Sequence, residues 1–429
     1  MKDIFRSVMK KAEKIKKTLK ETKGKRKNQV GKVYQIKLQN LSKQDEENLN
    51  RLFLEAKWLY NYIVADIKNR LNSTAWKLKE VKIKTPKEIE KREIKTLSSQ
   101  MRQGIVDRIK HSLKALRKAK EKGLKVGKLQ FKSEVRSIPL KQYGITYKIS
   151  RDRNRVKIQG IKKKFRVLGL HQIPQNTEIA NGILVKKSSG YYLYVTCYLP
   201  KNEVVEEIRR NRIPKAVGID LGIKDQLTLS TGEKISWYIP ETGRIKKLQK
   251  RLLKKQKGSN NYRKIKFLIQ KEWEYIQNKR KDTLNKVVSH LKKFCLIAVQ
   301  DDPIKSWHEG LFGRQVQNTG IGGITARLRN LATLIPVVFV DRYTPTTQTC
   351  SKCGNRQKIP LSERVFKCEV CGFELDRDWK SAIEILKEGL RKIKGEGKLL
   401  KTLPVDCGEV KPVERATALV EAGSLPLKW

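Results

Sequence analysis

Residues 215–232 read KAVGIDLGIKDQLTLSTG, and this stretch decides the fold predicted for the carboxy-terminal half of the chain. Its two apolar runs predict a strand, a turn and a second strand. Strand alternation turns Asp220 away from the face that carries the neighbouring Val217 and Ile219. Because an acid on a central strand is costly to bury without a cation, Asp220 is a candidate cation ligand.

The segments that follow predict an α/β sheet covered by helices. Two long basic helices are expected over residues 244–257 and 262–294, and a short buried strand over 294–299. A helix over 319–335 and a strand over 337–340 come next. A hairpin followed by a long helix fits the start of an RNase H-like fold. The GIDLG pattern also opens sugar kinases and actin-like ATPases, but the further glycine-rich phosphate loops of those proteins are not found in this sequence.

Two more acidic clusters lie where predicted strands or helices begin or end. Asp301 and Asp302 follow the buried strand, whereas Asp376 and Asp378 lead into a closing helix over residues 376–395. We assign Asp376 mainly to capping that helix and Asp378 to function. Three carboxylates from separated segments can converge on two Mg²⁺ ions, which prefer oxygen ligands. Such a pair of ions suits phosphodiester cleavage, because one activates water and the other stabilises the leaving 3′ oxygen.

Four of the seven cysteines form two C-x2-C pairs separated by fourteen residues. A glycine follows the second cysteine of each pair, which is typical of a tight metal-binding knuckle. Four thiolates at this spacing predict a closed, structural zinc site, with an iron–sulfur cluster or redox pairs as the alternatives. The predicted zinc ligands are Cys350, Cys353, Cys368 and Cys371.

The amino-terminal half mixes strands with helices. A strand is predicted near the start, over residues 33–38, and a helix with one apolar face over 43–71. A polar connection over 72–100 and a second helix over 100–122 follow. Short alternating runs then fill residues 128–200. A strand, a helical insertion and further strands predict a β-barrel interrupted by helices, which ends at a boundary near residues 211–214.

The net charge of the chain indicates which class of partner it binds. The chain has 97 Lys and Arg against 43 Asp and Glu, a net charge of +54 that is spread over several segments. An ordinary cytosolic metabolic enzyme needs no such excess, and the acids are too few for a balanced lysine-rich surface, so we expect a nucleic acid to neutralise it. The sequence contains no run of about 18 apolar residues, so it predicts no membrane span. The basic amino terminus lacks the apolar region of a secretory signal.

Taken together, these motifs resemble the TnpB (OrfB-type) proteins of insertion sequences, which are related to compact type V CRISPR effectors. The resemblance is carried by GIDLGIKDQLTLSTG, TPTTQTCSKCGN, FKCEVCGFELDRDWKSAIEIL and the tail PVERATALVEAGS. It implies an RNA-guided DNA endonuclease of a transposon. Such a protein binds a guide RNA encoded by its own element and cuts matching double-stranded DNA beside a short adjacent motif.

The implied fold is multidomain α+β: a RuvC-like (RNase H-like) α/β nuclease domain with an inserted zinc knuckle, and a wedge β-barrel interrupted by a helical recognition lobe. The domains are a basic arm (1–30), the wedge barrel (31–42 and 128–210), the helical recognition insertion (43–127), the nuclease domain (214–344 and 376–395), the zinc module (345–375) and a tail expected to be disordered (396–429).

The resemblance assigns catalysis and Mg²⁺ binding to Asp220 and Asp378. The family commonly has Glu at the end of the second strand, where this chain has Gln300. We predict Asp302 as the remaining acid, because a residue two positions on faces the same side of a continuing strand, whereas Asp301 would face away. If neither reaches the metals, the protein is a nuclease-dead, RNA-guided DNA-binding repressor. A compact type V CRISPR effector is the other alternative.

The expected cofactors are structural Zn²⁺, catalytic Mg²⁺ and a guide RNA, and the expected partner is double-stranded target DNA. We expect a cytoplasmic, nucleoid-associated prokaryotic protein. A monomer is favoured over a dimer, although compact relatives act either singly or as pairs.

Overall fold

The computed structural model describes residues 13, 17–18, 20–84, 88–175, 177–360, 362–396 and 427–428. It divides into two units, Met1–Pro200 and Lys201–Trp429. The division lies earlier than the boundary predicted near residues 211–214. The reason is that the helix after Pro200 packs Ile208 against the core of the second unit.

The first unit is built on one antiparallel sheet and two long helices. In chain order it contains β1 (Gln29–Gln39), α1 (Lys43–Ala65), α2 (Ile67–Arg70), β2 (Glu80–Lys84), β3 (Ile89–Glu93), α3 (Ser99–Glu121), β4 (Ser137–Leu140), β5 (Tyr147–Ser150), β6 (Arg155–Ile158), β7 (Lys164–Leu168), β8 (Glu178–Lys187) and β9 (Gly190–Pro200). Single 3₁₀ turns lie at Ala75–Lys77 and Leu170–Gln172.

The seven-stranded sheet has the order β4-β8-β9-β1-β7-β6-β5. It curls, because β5 at one edge approaches β8 near the other edge. The Tyr147 hydroxyl in β5 donates to the Ala180 carbonyl of β8 over 3.1 Å. The backbone N–H of Tyr143 donates to the same carbonyl over 3.2 Å. The curled sheet agrees with the multidomain α+β prediction, and closure into a wedge barrel stays a prediction.

Helix α1 packs its apolar face on this unit's core, as its spacing predicts. Leu49, Leu52 and Leu59 are fully buried. Ser42 caps the helix by accepting from the Asp45 backbone, and the Asp45 carboxylate accepts from the Ser42 backbone in return. The helix predicted to run to residue 71 breaks at Asp66, whose side chain caps the short α2.

A buried carboxylate joins α1 to the start of α3. Glu55 is fully buried and accepts backbone hydrogen bonds from Lys95, Thr96 and Leu97 at 2.8 to 3.1 Å. These bonds replace the water that an ionised acid loses on burial. The polar connection predicted over residues 72–100 was wrong in part, because it contains the β2–β3 hairpin.

The second unit is an α/β layer structure. It contains α4 (Lys201–Arg210), β10 (Ile213–Leu221), β11 (Leu227–Leu229), β12 (Lys234–Ser236), α5 (Gly243–Leu253), α6 (Asn260–Leu291), β13 (Phe294–Gln300), α7 (Ile304–Glu309), α8 (Gly313–Thr319), α9 (Gly322–Leu331), β14 (Val337–Val340), β15 (Val365–Lys367), β16 (Glu374–Asp376), α10 (Arg377–Glu396) and β17 (Leu427–Lys428).

Its main sheet has the order β14-β13-β10-β11-β12-β17. The β10–β13 and β13–β14 pairs are parallel, whereas β11 runs antiparallel to both β10 and β12. One face packs on a core that includes Val217, Ile219 and residues of α6 and α9. The other face packs on α10 through Leu296, Ala298 and Ile385. Strand β10 is therefore central, with Asp220 near its carboxyl end.

Small residues let α10 lie directly on the sheet. A Cβ atom on Gly218 of β10 would stand 2.1 Å from the Ala382 carbonyl oxygen of α10. A Cβ on Gly389 of α10 would stand 2.6 Å from the Ala298 Cβ of β13. Only glycine permits this backbone approach. The close packing fixes the first turn of α10 beside the end of β10.

The two termini are described in part. Within the predicted basic arm, residues 20–27 are helical, and β1 begins at Gln29. Within the predicted disordered tail, Leu427–Lys428 pairs in parallel with β12. Residues 1–12 and 397–426 lie outside the described residues, and so does the tail motif that supports the resemblance. Among the described helices, none combines the length and apolar character needed to cross a bilayer.

Candidate active site and metal centre

The three predicted acids lie in one cleft of the second unit. Asp220 is near the end of β10, Asp302 lies two residues beyond β13, and Asp378 is in the first turn of α10. All three line a cleft of about 1090 Å³. The parallel β10–β13 pairing places the first two strand ends at the same sheet edge. The packing of α10 on Gly218 brings Asp378 to that edge as well.

The carboxyl groups act on one another's ionisation. Burial, followed by the charges of Asp378 and Asp302, raises the pKa of Asp220 to about 8. Burial and the neighbouring Asp301 raise the pKa of Asp302 to about 6. The described part of the chain contains no ion pair to Asp220 or Asp302 at contact distance. Asp220 and Asp302 thus lie near other carboxyl groups without a basic side chain at contact distance.

Two arginines contact the third acid. The Arg377 Nε lies 3.3 Å from one Asp378 oxygen. The Arg364 Nη1, from the segment before β15, lies 3.7 Å from the other. The side chain of Asp376 instead caps α10, since it accepts from the Trp379 backbone N–H at 3.0 Å. Its other oxygen accepts from Lys234 at 2.7 Å. The capping role predicted for Asp376 is confirmed.

Gln300 lines the cleft, but its side-chain amide makes hydrogen bonds to the loop after β14. Its Nε2 donates to the carbonyls of Asp341, Arg342 and Thr344 at 3.1 to 3.3 Å. Its Oε1 accepts from the Thr346 hydroxyl at 3.2 Å. The side chain is almost fully buried. Gln300 therefore holds the loop after β14 in place, and a carboxylate could not make the hydrogen bonds that its amide donates.

Asp301 and Asp302 point to different surroundings. Asp301 continues the ladder with β14 through its backbone and pairs its side chain with Arg329. It does not line the cleft, whereas Asp302 does. This placement supports Asp302 as the second acid, and its catalytic role stays a prediction.

The four cysteines converge, as their spacing predicts. Their sulfur atoms all lie within 4.8 Å of one another. The Sγ atoms of Cys350 and Cys371 are 3.6 Å apart, and so are those of Cys353 and Cys368. Zn–S bonds of about 2.3 Å in a tetrahedron put sulfurs ~3.8 Å apart. The donor set therefore fits zinc.

The two knuckles are built alike. Gly354 and Gly372 both adopt positive φ, at 75° and 65°. Their backbone N–H groups donate to the carbonyls of Cys350 and Cys368 at 3.0 Å. The module adds only a small apolar core around Phe366. A small core of this kind is typical of modules whose folding depends on the metal.

Helix α10 connects this module to the carboxylate cleft. Lys380 is fully buried, and its Nζ donates to the Thr349 carbonyl at 2.9 Å and lies 4.2 Å from the Phe366 ring centroid. Burial lowers the pKa of Lys380 to about 8. Further along the helix, Lys387 donates to the Ser351 carbonyl at 2.6 Å. Both carbonyls flank Cys350, so the helix that carries Asp378 is also hydrogen-bonded to the first knuckle.

The chemistry of the cleft fits divalent cations with oxygen ligands. Asp220, Asp302 and Asp378 supply carboxylate oxygens, and two of them lack a compensating cation. In the described part of the chain, the four cysteines are the one group of three or more His, Cys, Asp or Glu residues whose ligand atoms all lie within 4.8 Å of one another. The three carboxylates thus share a cleft without forming an equally tight cluster.

Several cleft residues were not predicted. Lys224, Lys358 and Arg364 bring positive charge to its lining, and Leu311 and Phe312 bring apolar surface. The sequence gives no local signal for Lys358 or Arg364, because they reach the cleft only through the fold of the cysteine module. Leu311 is almost wholly exposed, which no periodic pattern marks.

Two family models match segments of the second unit, and a curated relative matches part of the chain. Residues 201–299 match the OrfB family model described as "Probable transposase", and residues 328–385 match the one described as "Cas12f1-like, TNB domain". A "Putative RNA-guided DNA endonuclease" of Streptomyces pristinaespiralis is 32% identical over 183 residues, which cover 41% of this chain and 45% of that protein.

Two further similarities extend over more of the chain. The "TnpB-like protein L79" of Acanthamoeba polyphaga mimivirus is 29% identical over 222 residues, covering 47% of this chain and 41% of that protein. The solved structure titled "Cryo-EM structure of the Cas12f1-sgRNA-target DNA complex" is 16% identical with a TM-score of 0.44, covering 80% of this chain and 83% of that chain. The chain spans less than half the length of the two curated relatives named here. The family resemblance stated from the sequence is confirmed by the family and relative matches.

Proposed function

We propose that this chain, a member of the TnpB (OrfB-type) family, is an RNA-guided DNA endonuclease of a transposon. It would bind the guide RNA of its own element and cut matching double-stranded DNA beside a short adjacent motif. The observation that carries the proposal is the meeting of Asp220, Asp302 and Asp378 in one cleft.

The sheet supports a RuvC-like assignment of this unit. Taking β10 to β14 as strands one to five, the order is five-four-one-two-three, and strand two is antiparallel to strand one. This is the topology expected of an RNase H-like fold. Acids at the ends of its first and fourth strands, with a third on the closing helix, would occupy the positions that the family resemblance assigns to catalysis.

Each charged residue of the cleft would have a role set by its surroundings. Ionised Asp220, Asp302 and Asp378 would hold the divalent cations, whose chemistry when bound is to activate water and stabilise the leaving 3′ oxygen. Arg364 and Arg377 would orient Asp378 through their contacts with its two oxygens. Lys224 and Lys358, on the cleft wall, would bind phosphates of the strand being cut.

Cleavage of a guide-matched plasmid tests the proposal. The purified protein, loaded with an RNA that carries a guide, should cut a plasmid with the matching sequence and a randomised flank only when Mg²⁺ is present. Asp220→Asn, Asp302→Asn and Asp378→Asn should each reduce the cleavage rate by more than about 100-fold, because loss of a ligand should cost at least as much as loss of a supporting residue.

Asp301→Asn is the matched control. It removes the same charge one residue away, from a side chain paired with Arg329 outside the cleft. Its cleavage rate should stay within a few-fold of the wild type. If the wild type binds the matched plasmid with its guide but leaves it intact, the protein is the nuclease-dead repressor. If Asp302→Asn cuts normally, the second acid has been misassigned.

A further inference from the structure

The outer face of the first unit's sheet carries cations placed directly opposite one another. Arg155 of β6 faces Arg166 of β7, and Lys157 faces Lys164. On the other side of β6, Lys157 faces Lys148 of β5. Directly opposed residues share a face of the sheet. All five side chains are exposed, while the residues between them in β6 and β7 are buried. We call these five residues the cationic face.

No acid within these strands offsets the charge. Strands β1, β5, β6, β7 and β9 contain no Asp or Glu. Among the ion pairs found in the described part of the chain, none involves a member of the cationic face. Like charges directly opposed across strands destabilise a sheet. An arrangement that opposes folding and is not offset internally indicates a polyanionic ligand.

Aromatic side chains continue the same face on the next strands. Arg166 and Leu168 alternate along β7, Leu168 is opposite Lys37 of β1, and Lys37 is opposite Tyr192 of β9. Tyr194 lies two residues along β9 and is therefore on the same side.

Lysine side chains lie over the rings of both tyrosines in cation–π contacts. The Nζ of Lys187 lies 4.8 Å from the Tyr192 ring centroid and 5.6 Å from that of Tyr194. Lys37 Nζ lies 6.0 Å from the Tyr192 ring centroid. The rings are part-exposed, on a strand whose alternate residues are buried. This side of the sheet thus joins a half with five exposed cations to a half with two part-exposed aromatic rings.

We propose that this face binds a single-stranded segment of RNA, with phosphates on the cationic face and unpaired bases stacked on Tyr192 and Tyr194. Bases splayed on aromatic residues of an exposed sheet are the usual mode by which single strands are held. A duplex keeps its bases stacked inside and would leave the rings unused. The identity of this RNA as the guide rests on the proposed function.

Equilibrium binding of oligouridine to the full-length protein, measured by fluorescence anisotropy over a range of salt, tests the assignment. Lys157→Gln combined with Arg166→Gln should weaken binding on the order of tenfold. The slope of log affinity against log salt should become shallower by about 0.7 for each phosphate that the double variant no longer neutralises. The melting temperature should stay equal or rise, because three opposed cation pairs are relieved.

The matched control removes the same number of charges from an exposed helix outside the recognition insertion. Lys246 and Lys250 lie on the solvent side of α5. Lys246→Gln with Lys250→Gln should leave the affinity and the salt slope near the wild-type values. An equal loss of affinity in this control would mean that net charge alone drives binding, and it would overturn the assignment of a specific face.

The tyrosines separate stacking from phosphate binding. Tyr192→Leu and Tyr194→Leu should each weaken oligouridine binding roughly tenfold, without changing the salt slope. Binding of an RNA duplex of equal length should not respond to either change. If duplex and single strand lose affinity alike, or neither does, the stacking assignment is wrong.

The outcomes also distinguish this inference from the proposed function. If the wild type cuts guide-matched DNA while the Lys157 and Arg166 double variant binds RNA normally, the face is not used and the endonuclease proposal stands. If the variants weaken RNA binding as expected but no guide supports cleavage, the RNA face stands and the endonuclease proposal fails. A wild type that binds no RNA overturns both.

Discussion

Asp220 shows how one residue couples the fold to the proposed chemistry. Its carboxyl has an ordinary pKa of 3.8, which burial and two neighbouring acids raise to about 8. A carboxyl whose pKa is higher in the folded than in the unfolded chain keeps a proton that the unfolded chain releases. The stability of the metal-free protein therefore falls as pH rises from about 4 to about 8. The same acids that would bind cations thus oppose folding when no cation is bound.

The first prediction at this scale is a pH-dependent melting temperature. As pH rises from about 4 to about 8 in the absence of metal, the melting temperature of Asp220→Asn should increasingly exceed that of the wild type, by roughly 5 °C or more at the upper end, because the charge on the partly buried side chain never forms. Mg²⁺ should stabilise the wild type more at the upper end of that range, since ligation requires the ionised acids. Calorimetry across the range measures both effects.

Asp301→Asn serves as the control for this titration, because its side chain pairs with Arg329 outside the cleft. Its pH profile should change much less than that of Asp220→Asn, because removing the Asp301 charge relieves only its effect on the pKa of Asp302. Identical pH profiles for Asp220→Asn and the wild type would show that the pKa of Asp220 is not raised as described above.

Helix α10 is the element on which the candidate site depends. It carries Asp378, packs its backbone on Gly218 and holds the first cysteine knuckle through Lys380 and Lys387. Each contact fixes a different part of the same helix. A displacement of α10 should therefore disturb the acids and the zinc module together.

Gly218→Ala tests this dependence. The added methyl group would stand 2.1 Å from the Ala382 carbonyl oxygen, so α10 must shift away from β10. We expect a destabilisation of about 1–3 kcal/mol and a loss of cleavage larger than the loss of folded protein explains. Gly243→Ala, at the start of α5 with no atom within 4 Å of the new methyl, is the control and should retain stability and activity. Normal cleavage by Gly218→Ala would contradict the proposed coupling.

Local patterns predicted the elements whose residues carry their own signal. Alternation around Asp220 gave β10, and the two cysteine pairs gave the metal centre that the converging sulfurs support. The β2–β3 hairpin was missed because its strands, EVKIK and IEKRE, alternate charge more than hydrophobicity. The hydrogen bonds of the Gln300 side-chain amide to the loop at 341–346 could not be predicted, since they join segments more than forty residues apart.

At the scale of the whole molecule, the charge exceeds what folding alone would favour. The excess of 54 positive charges includes opposed cations on one sheet face, while the cleft of the other unit concentrates acids. A positive surface and a cleft with several acids fit the polyanionic partner and the divalent cations of the proposed function. The free protein must meanwhile fold against its own repulsion.

This repulsion predicts how salt and RNA affect stability. For the protein freed of nucleic acid, the melting temperature should rise as NaCl increases from low concentration to about 0.15 M, where the screening length is ~8 Å. With a bound RNA at low salt it should rise further, by an amount that increases with the ratio of RNA concentration to its dissociation constant. The two effects should oppose each other when combined, because salt weakens RNA binding while it relieves repulsion. Differential scanning fluorimetry over a grid of NaCl and RNA concentrations measures this, and a melting temperature indifferent to both would show that the surface charge is neutralised within the folded chain itself.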